Sequence, residues 1–416
     1  MPTGEIRVST RAGSFARLRP PSDTYRFDRV LLLVLLLATL SAPGLVSGKS
    51  PLWYLLPGAV IAAAILIRAR TPSTLIRRPV ASDVVLLMLM VLGLAGSMYG
   101  IVFLGTTATA RPVFVPMVIA FLYLLMLEGH TDDEADALVR GLIWIGIVYI
   151  ALNAAVIFGL VPGPGLAGDH PFRNSQLPFV TMAVVGAFEL RRWRLVGLLA
   201  VLVAFMVVSY PSATTILVAV GTLATLYVAQ PRASGVRASL VAILGSVVVV
   251  AGLLNSTSSV EVTSRYFATV GKADTVPTRL LLWEEGIRRF EDSPVIGNAF
   301  SGDTNAVIVR DVGPPLQLPF HNDFILFLAT GGVVGLGLLL AWAAATEAIV
   351  LRRYWAFAAA GGHAHARLLR TLLVGFNAFF VAAAFNPQFT SVSASTTIFA
   401  VYGLMLSTGS PVRQDA

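Results

Sequence analysis

Cysteine is absent from the 416 residues, which excludes disulfides and thiolate metal sites. Charge is scarce as well. Asp, Glu, Lys and Arg make up 12% of the chain, against about a quarter in a soluble domain, so a water-soluble globule is excluded. Apolar and polar residues do not alternate along short segments, which excludes a transmembrane β-barrel with its strands of about ten residues. What is abundant is apolar sequence, at 56% of residues. It comes in recurring runs of about 17–25 residues, each long enough to cross about 30 Å of hydrocarbon as a helix. The fold class is therefore an all-α polytopic membrane protein.

Hydropathy predicts about twelve spans, at 30–47, 51–67, 83–104, 112–127, 138–160, 176–189, 194–208, 212–229, 236–254, 322–350, 367–386 and 391–408. The sixth and seventh are short enough to form one re-entrant hairpin, and the tenth is long enough to tilt or emerge. Charge tests the count independently. With both termini inside, 21 of the 30 basic residues fall on inner segments, among them Arg7, Arg68, Arg140, Arg191, Arg352, Arg367 and Arg413. The short outer loops hold only Lys49, Arg111 and Arg173, and a long outer loop crosses largely regardless of its charge. This places the chain in a cell membrane, multi-pass, with cytoplasmic termini. The net charge of +8 is then a topology signal at an anionic inner leaflet and calls for no nucleic acid.

Three regions follow. Residues 1–29 form a basic cytoplasmic tail, rich in Arg, Pro, Ser and Thr, expected to be disordered rather than a cleaved signal. Residues 30–408 form one membrane domain, and 409–416 a second tail. Within the domain, 255–321 is a large extracytoplasmic loop, the place where arginines, carboxylates and a histidine gather outside lipid. The inner segment Glu128 to Glu134 reads as a helix start capped by Thr131 or Asp132. His363 and His365, with no acidic neighbour in sequence, read as a flexible inner turn rather than a metal site.

In the long loop, Pro277 in a first turn predicts a helix to about Phe290. Leu280, Trp283, Ile287 and Phe290 share one face, which suits a helix lying on the bilayer surface. Glu284 precedes Arg288 by four residues and Glu285 precedes Arg289 by four, so both arginines have local partners. Arg279 has none. It sits at the edge of the lipid-facing stripe, beside Gly286, free either to hold a phosphate or to snorkel to headgroups. After Ser293-Pro294-Val295-Ile296-Gly297 the chain reaches His321-Asn322-Asp323 at the entrance of the tenth span. His321 suits a proton acceptor, oriented by Asp323; alternatively His321 or Asn322 caps the helix. Asp169 and His170, in the loop after the fifth span, form a second outer pair, and a metal held by His170, His321 and carboxylates has no recognised spacing.

The order Arg279, Trp283, Pro294-Val295-Ile296-Gly297, His321-Asn322, Gly331-Gly332-Val333-Val334-Gly335 resembles the O-antigen ligase and surface-polysaccharide polymerase superfamily. The resemblance covers about sixty residues, together with the span count and the late outer loop. It implies a glycosyltransferase on the outer membrane face that moves a glycan from undecaprenyl diphosphate to a hydroxyl of an acceptor glycan or glycolipid, in the company of other polysaccharide-assembly membrane proteins. It implies no cofactor and no metal. The diphosphate falls to Arg279 and the acceptor to His321, with Asn322, Asp323 and Trp283 supporting. Two departures stand out. The second glycine after the proline is replaced in Gly297-Asn298-Ala299, and Ser209-Tyr210-Pro211-Ser212 lacks the arginine of the family's Ser-Arg pair, for which Arg173 is the substitute. The missing Ser-Arg element prefers the polymerase over the ligase. The alternative from another class is a transporter of small anions such as bicarbonate, or a flippase for lipid-linked sugar. Against it, predicted span centres hold almost no ionisable group, with Glu189 and Glu347 near inner ends.

Overall fold

The structure is a computed structural model in which residues 79–105, 130–157, 177–209, 275–302, 305–308, 316–384, 388–389 and 392–408 are described. Seven of the expected spans fall there, and each is a helix: α1 (Ala81–Phe103), α2 (Asp132–Ile157), α3 (Leu177–Glu189), α4 (Trp193–Ser209), α6 (Asp323–Ala360), α7 (His363–Ala383) and α8 (Val392–Ser407). Between α4 and α6 come α5 (Thr275–Asp292) and a hairpin of β1 (Asn305–Ile308) with β2 (Leu316–Pro319). By length and composition α1, α6 and α7 are long and apolar enough to cross a membrane. The spans expected at 30–47, 51–67, 112–127, 212–229 and 236–254, and both tails, lie outside the described residues.

The helix ends have local causes. Thr131 caps α2 as one of the two expected candidates: Glu134 accepts from the Thr131 amide at 2.7 Å and the Thr131 hydroxyl from the Glu134 amide at 3.4 Å. Helix α6 runs ten residues past its expected end, because nothing between 350 and 360 breaks it. It stops where Gly361 takes φ 79°, the left-handed cap that glycine accepts without strain.

The core is aromatic and close-packed. Trp342 of α6 is fully buried, with the rings of Phe376, Phe399 and Tyr402 at 5.3–5.5 Å. Small residues let helices approach: a Cβ on Gly146 of α2 would stand 2.7 Å from the Phe179 carbonyl oxygen of α3. At one end of the bundle, polar pairs tie the helices. Arg367 holds Asp136 bidentately at 2.7 and 2.9 Å, Arg370 holds Glu189 at 2.7 Å, and Tyr402 donates to Asp83 at 2.7 Å. The turn at His363 and His365 belongs to this end and is not loose. The His365 ring nitrogens meet Asp132 at 2.8 Å and the His130 carbonyl at 2.7 Å, and the ring stacks on Phe357. The carboxylate that sequence proximity did not supply comes from α2. Among the described residues no group of three His, Asp or Glu gathers to hold a metal.

The other end is built on a break. Within α6, Gly332 has φ 60° and ψ −160°, a conformation almost reserved for glycine. The opened turn is refilled from outside by residues 294–300. The Val333 amide donates to the Pro294 carbonyl at 2.9 Å, Val334 to Val295 at 3.0 Å, and Phe300 donates back to the Thr330 carbonyl at 2.9 Å. Gly297, at φ 57°, lies so close that a Cβ would stand 2.6 Å from the Thr330 carbonyl. The Phe300 ring then covers Gly331 and Gly335, edge-on to Phe327 at 5.6 Å. Gly332→Ala is therefore expected to cost at least about 3 kcal/mol from backbone strain and overlap, whereas Gly337→Ala, with open space around its Cβ, should be neutral or slightly stabilising. Thermal unfolding of the two purified variants in detergent checks this; equal midpoints would contradict it.

Candidate functional site

Helix α5 packs against the first turns of α6, and this contact sets the site. Gly286 makes it possible, since a Cβ there would lie 3.1 Å from the Phe320 ring and closer still to Ile325. The buried face of α5 is thus Leu282 and Gly286, with Trp283 partly covered, while Leu281 and Ile287 are about half exposed. This corrects the expected stripe of Leu280, Trp283, Ile287 and Phe290, which would have turned Arg279 toward lipid. Arg279 stands three residues before Leu282 and seven before Gly286, on the face that meets the protein. It is partly buried, and that burial lowers its pKa. Among the described residues it pairs with no carboxylate.

The neighbouring arginines are neutralised locally. Arg289 binds Glu285 at 2.9 Å, reaches the Asn305 carbonyl of β1 at 2.9 Å and lies 5.4 Å over the Phe320 ring. Arg288 binds Glu285 at 2.8 Å and Asp292 at 3.3 Å, rather than the expected Glu284. The hydrogen bonds of both arginines hold the Glu285 carboxyl below its usual range.

The hairpin delivers the chain to α6. Asn305 pairs with Pro319 and Ile308 with Leu316, after which Phe320 is buried against α5. Trp283 donates its indole N–H to the Phe320 carbonyl at 3.1 Å, fixing the residue before the histidine. His321 itself adopts φ 53°, a left-handed conformation that costs a non-glycine residue about 1–2 kcal/mol. Asn322 then caps α6, its Oδ1 accepting from the Phe324 and Ile325 amides at 3.0 and 3.1 Å. Of the two capping candidates Asn322 does the work, and His321 is left over. Its Nδ1 is buried and without a partner among the described residues. Burial, and then the positive charge of Arg279, push its pKa down to about 4. The imidazole is therefore neutral at physiological pH.

Asp323 does not orient His321. It is fully buried and its Oδ2 accepts from the Gln388 and Phe389 amides at 2.6 and 3.0 Å, so it anchors the α7–α8 connection beneath the site. Arg173, Asp169 and His170 lie outside the described residues, as does the Tyr210–Thr215 turn. The β-hairpin, Phe320 and the 388–389 segment were missed in the sequence; the only cue to the hairpin was brief alternation in Leu316-Gln317-Leu318.

Residues 177–340 match a family model described as O-Antigen ligase. The match supports the O-antigen ligase superfamily for this chain. No curated protein matches it. The matched stretch runs from α3 into α6, so it takes in Arg279, the 294–300 turn, His321 and Gly332. An O-antigen ligase or polymerase is a membrane glycosyltransferase, working on a lipid-linked glycan and an acceptor. The apolar helices agree with an inner-membrane location.

The electrostatic pairing of Arg279 and His321 has a direct readout. In Arg279→Gln the His321 titration midpoint should rise from near 4 yet stay below 6.5, because burial is the larger cause. Histidine-selective NMR of the full chain checks this; an unshifted midpoint would show that the two charges do not communicate.

Proposed function

We propose that this chain transfers a glycan from undecaprenyl diphosphate to an acceptor hydroxyl at the extracytoplasmic face of the membrane. The observation that carries the reading is the neutral Nδ1 of His321, without a partner among the described residues, beside an arginine that pairs with no carboxylate among them. In the proposed reaction the acceptor oxygen attacks the anomeric carbon and its proton passes to His321. The bond from that carbon to the diphosphate oxygen breaks, and the carrier departs as undecaprenyl diphosphate. Arg279, already partly desolvated, meets the charge that develops on the leaving diphosphate. A neutral base and a fixed cation suffice, because the diphosphate is a good leaving group.

The other residues support these two. Trp283 positions the Phe320-His321 corner through its indole hydrogen bond, and Asn322 frees His321 from capping. Leu281 and Ile287 on the outward face of α5 suit a helix resting at the membrane surface, where the carrier's diphosphate lies. Arg173 is retained as a second diphosphate contact on the strength of the family pattern alone. A polymerase is preferred to a ligase on the missing Ser-Arg pair.

His321→Ala should lower transfer by about 10²–10⁴-fold and Arg279→Ala by about 10²–10³-fold. Arg288→Ala should cost less than about tenfold, since its exposed ion pairs contribute little. The test is a gel profile of surface glycan from a null strain carrying each variant at matched protein level. Loss of long chains with single units kept identifies a polymerase, and long glycan left on its carrier identifies a ligase. An unchanged profile for His321→Ala would overturn the reading. The acid limb of kcat/KM should fall near pH 4 to 5, not near 6.5, because the proton acceptor is active only when unprotonated.

A further inference from the structure

At the end of the bundle opposite His321, a groove of about 820 Å³ opens between α2 and the α3–α4 turn. Arg140 enters it from α2, and Arg191, Arg192 and Arg194 from the turn and the first residues of α4. Two tryptophans complete the walls, Trp144 from α2 and Trp193 from α4, both more than half exposed. None of these four arginines has an ion pair among the described residues. Two carboxylates that α2 and α3 offer nearby are committed elsewhere, Asp136 to Arg367 and Glu189 to Arg370, both of α7.

Like charges converging from two separate elements repel one another, and no carboxylate among the described residues pairs with them here. An excess of arginine on inner segments orients a membrane protein, but orientation needs only their number. It does not call for four guanidinium groups around one cavity with an indole on either side. Guanidinium forks match pairs of phosphate oxygens, and indoles favour the depth at which headgroups meet acyl chains. The volume lies within the range of small-ligand pockets. The helices that form the groove are also ones that hydropathy places in the bilayer.

We infer that this groove binds the headgroup of an anionic phospholipid, which bridges α2 to the α3–α4 turn. The phosphate oxygens take the place that carboxylates hold elsewhere at this end, and the acyl chains run along the outward faces of α2 and α4. The turn geometry supports the assignment: Arg191 sits at φ 54°, a left-handed position that glycine or asparagine would fill more readily. The site is remote from Arg279 and does not depend on the transfer reading.

The test uses the full chain purified in a neutral detergent, with cardiolipin, phosphatidylcholine or inorganic phosphate added separately. Cardiolipin should raise the thermal midpoint and remain bound in native mass spectrometry, while phosphatidylcholine and phosphate do neither. Arg140→Gln and Arg194→Gln should each weaken cardiolipin retention about fivefold. Arg352→Gln, at an exposed arginine near the same end that bonds the Ala348 carbonyl of its own helix, should leave it unchanged. Equal stabilisation by phosphatidylcholine would overturn the proposal. So would stabilisation by phosphate alone, which would make this a free-anion site. An equal loss in Arg352→Gln would reduce the effect to bulk attraction and overturn it as well.

Discussion

The site rests on a backbone exchange. By breaking at Gly332, α6 gives up hydrogen bonds that every uninterrupted helix makes for itself, and residues 294–300 replace them from a separate segment. In a chain read as membrane-spanning such groups cannot be left to water, so the break and the turn that fills it form a single unit. The glycines on either side are spaces that the other backbone occupies. Because the turn leads directly out of α5, the exchange fixes where that helix ends. Because Gly332 lies within three turns of Asn322, it also fixes where α6 begins. His321 stands at that start of α6. Arg279 lies near the opposite, N-terminal end of α5 and is brought toward it by the packing of Leu282 and Gly286 against the first residues of α6, a contact that involves neither of them.

That construction explains how two unfavourable features persist together. A left-handed histidine and a partly buried arginine without a counter-ion among the described residues would each relax if the scaffold allowed it. Trp283, Phe320 and the Asn322 cap remove the freedom to relax. On the proposed reading, the result is a base that stays neutral because it is buried beside a cation, and a cation with no carboxylate among the described residues, open to an anion. The same logic at the opposite end of the bundle gives a contrasting result. There Arg367 and Arg370 are matched by protein carboxylates and tie helices together, while the arginines of the α2–α4 groove have no ion pair among the described residues, which suits them to the proposed lipid.

Hydropathy located the described helices well, because lipid demands long apolar runs and nothing else in this chain imitates them. It could not orient α5. The deciding contact there is made by Gly286, which has no side chain to mark a buried face, while exposed Leu281 and Ile287 mimic one. The His321-Asn322 pair was legible as a helix start, but the division of labour within it was not. Two polar residues at a start look alike until backbone angles assign the cap. Asp323 and His365 were misread for one shared reason. Their partners, at Gln388–Phe389 and at Asp132 and His130, are far away in the chain, and spacing is informative only for neighbours. Ala299, where the resemblance leads one to expect a second glycine, takes φ 50°, a left-handed conformation that glycine would adopt more readily.

The most direct test of the central claim is transfer by the purified protein in proteoliposomes, supplied with a glycan on undecaprenyl diphosphate and a glycan acceptor. The account predicts one new glycosidic bond for each carrier diphosphate released, and in His321→Ala a donor that still binds but is not consumed. A wild-type protein that leaves the donor's bonds intact, or only moves it across the bilayer, would contradict the account.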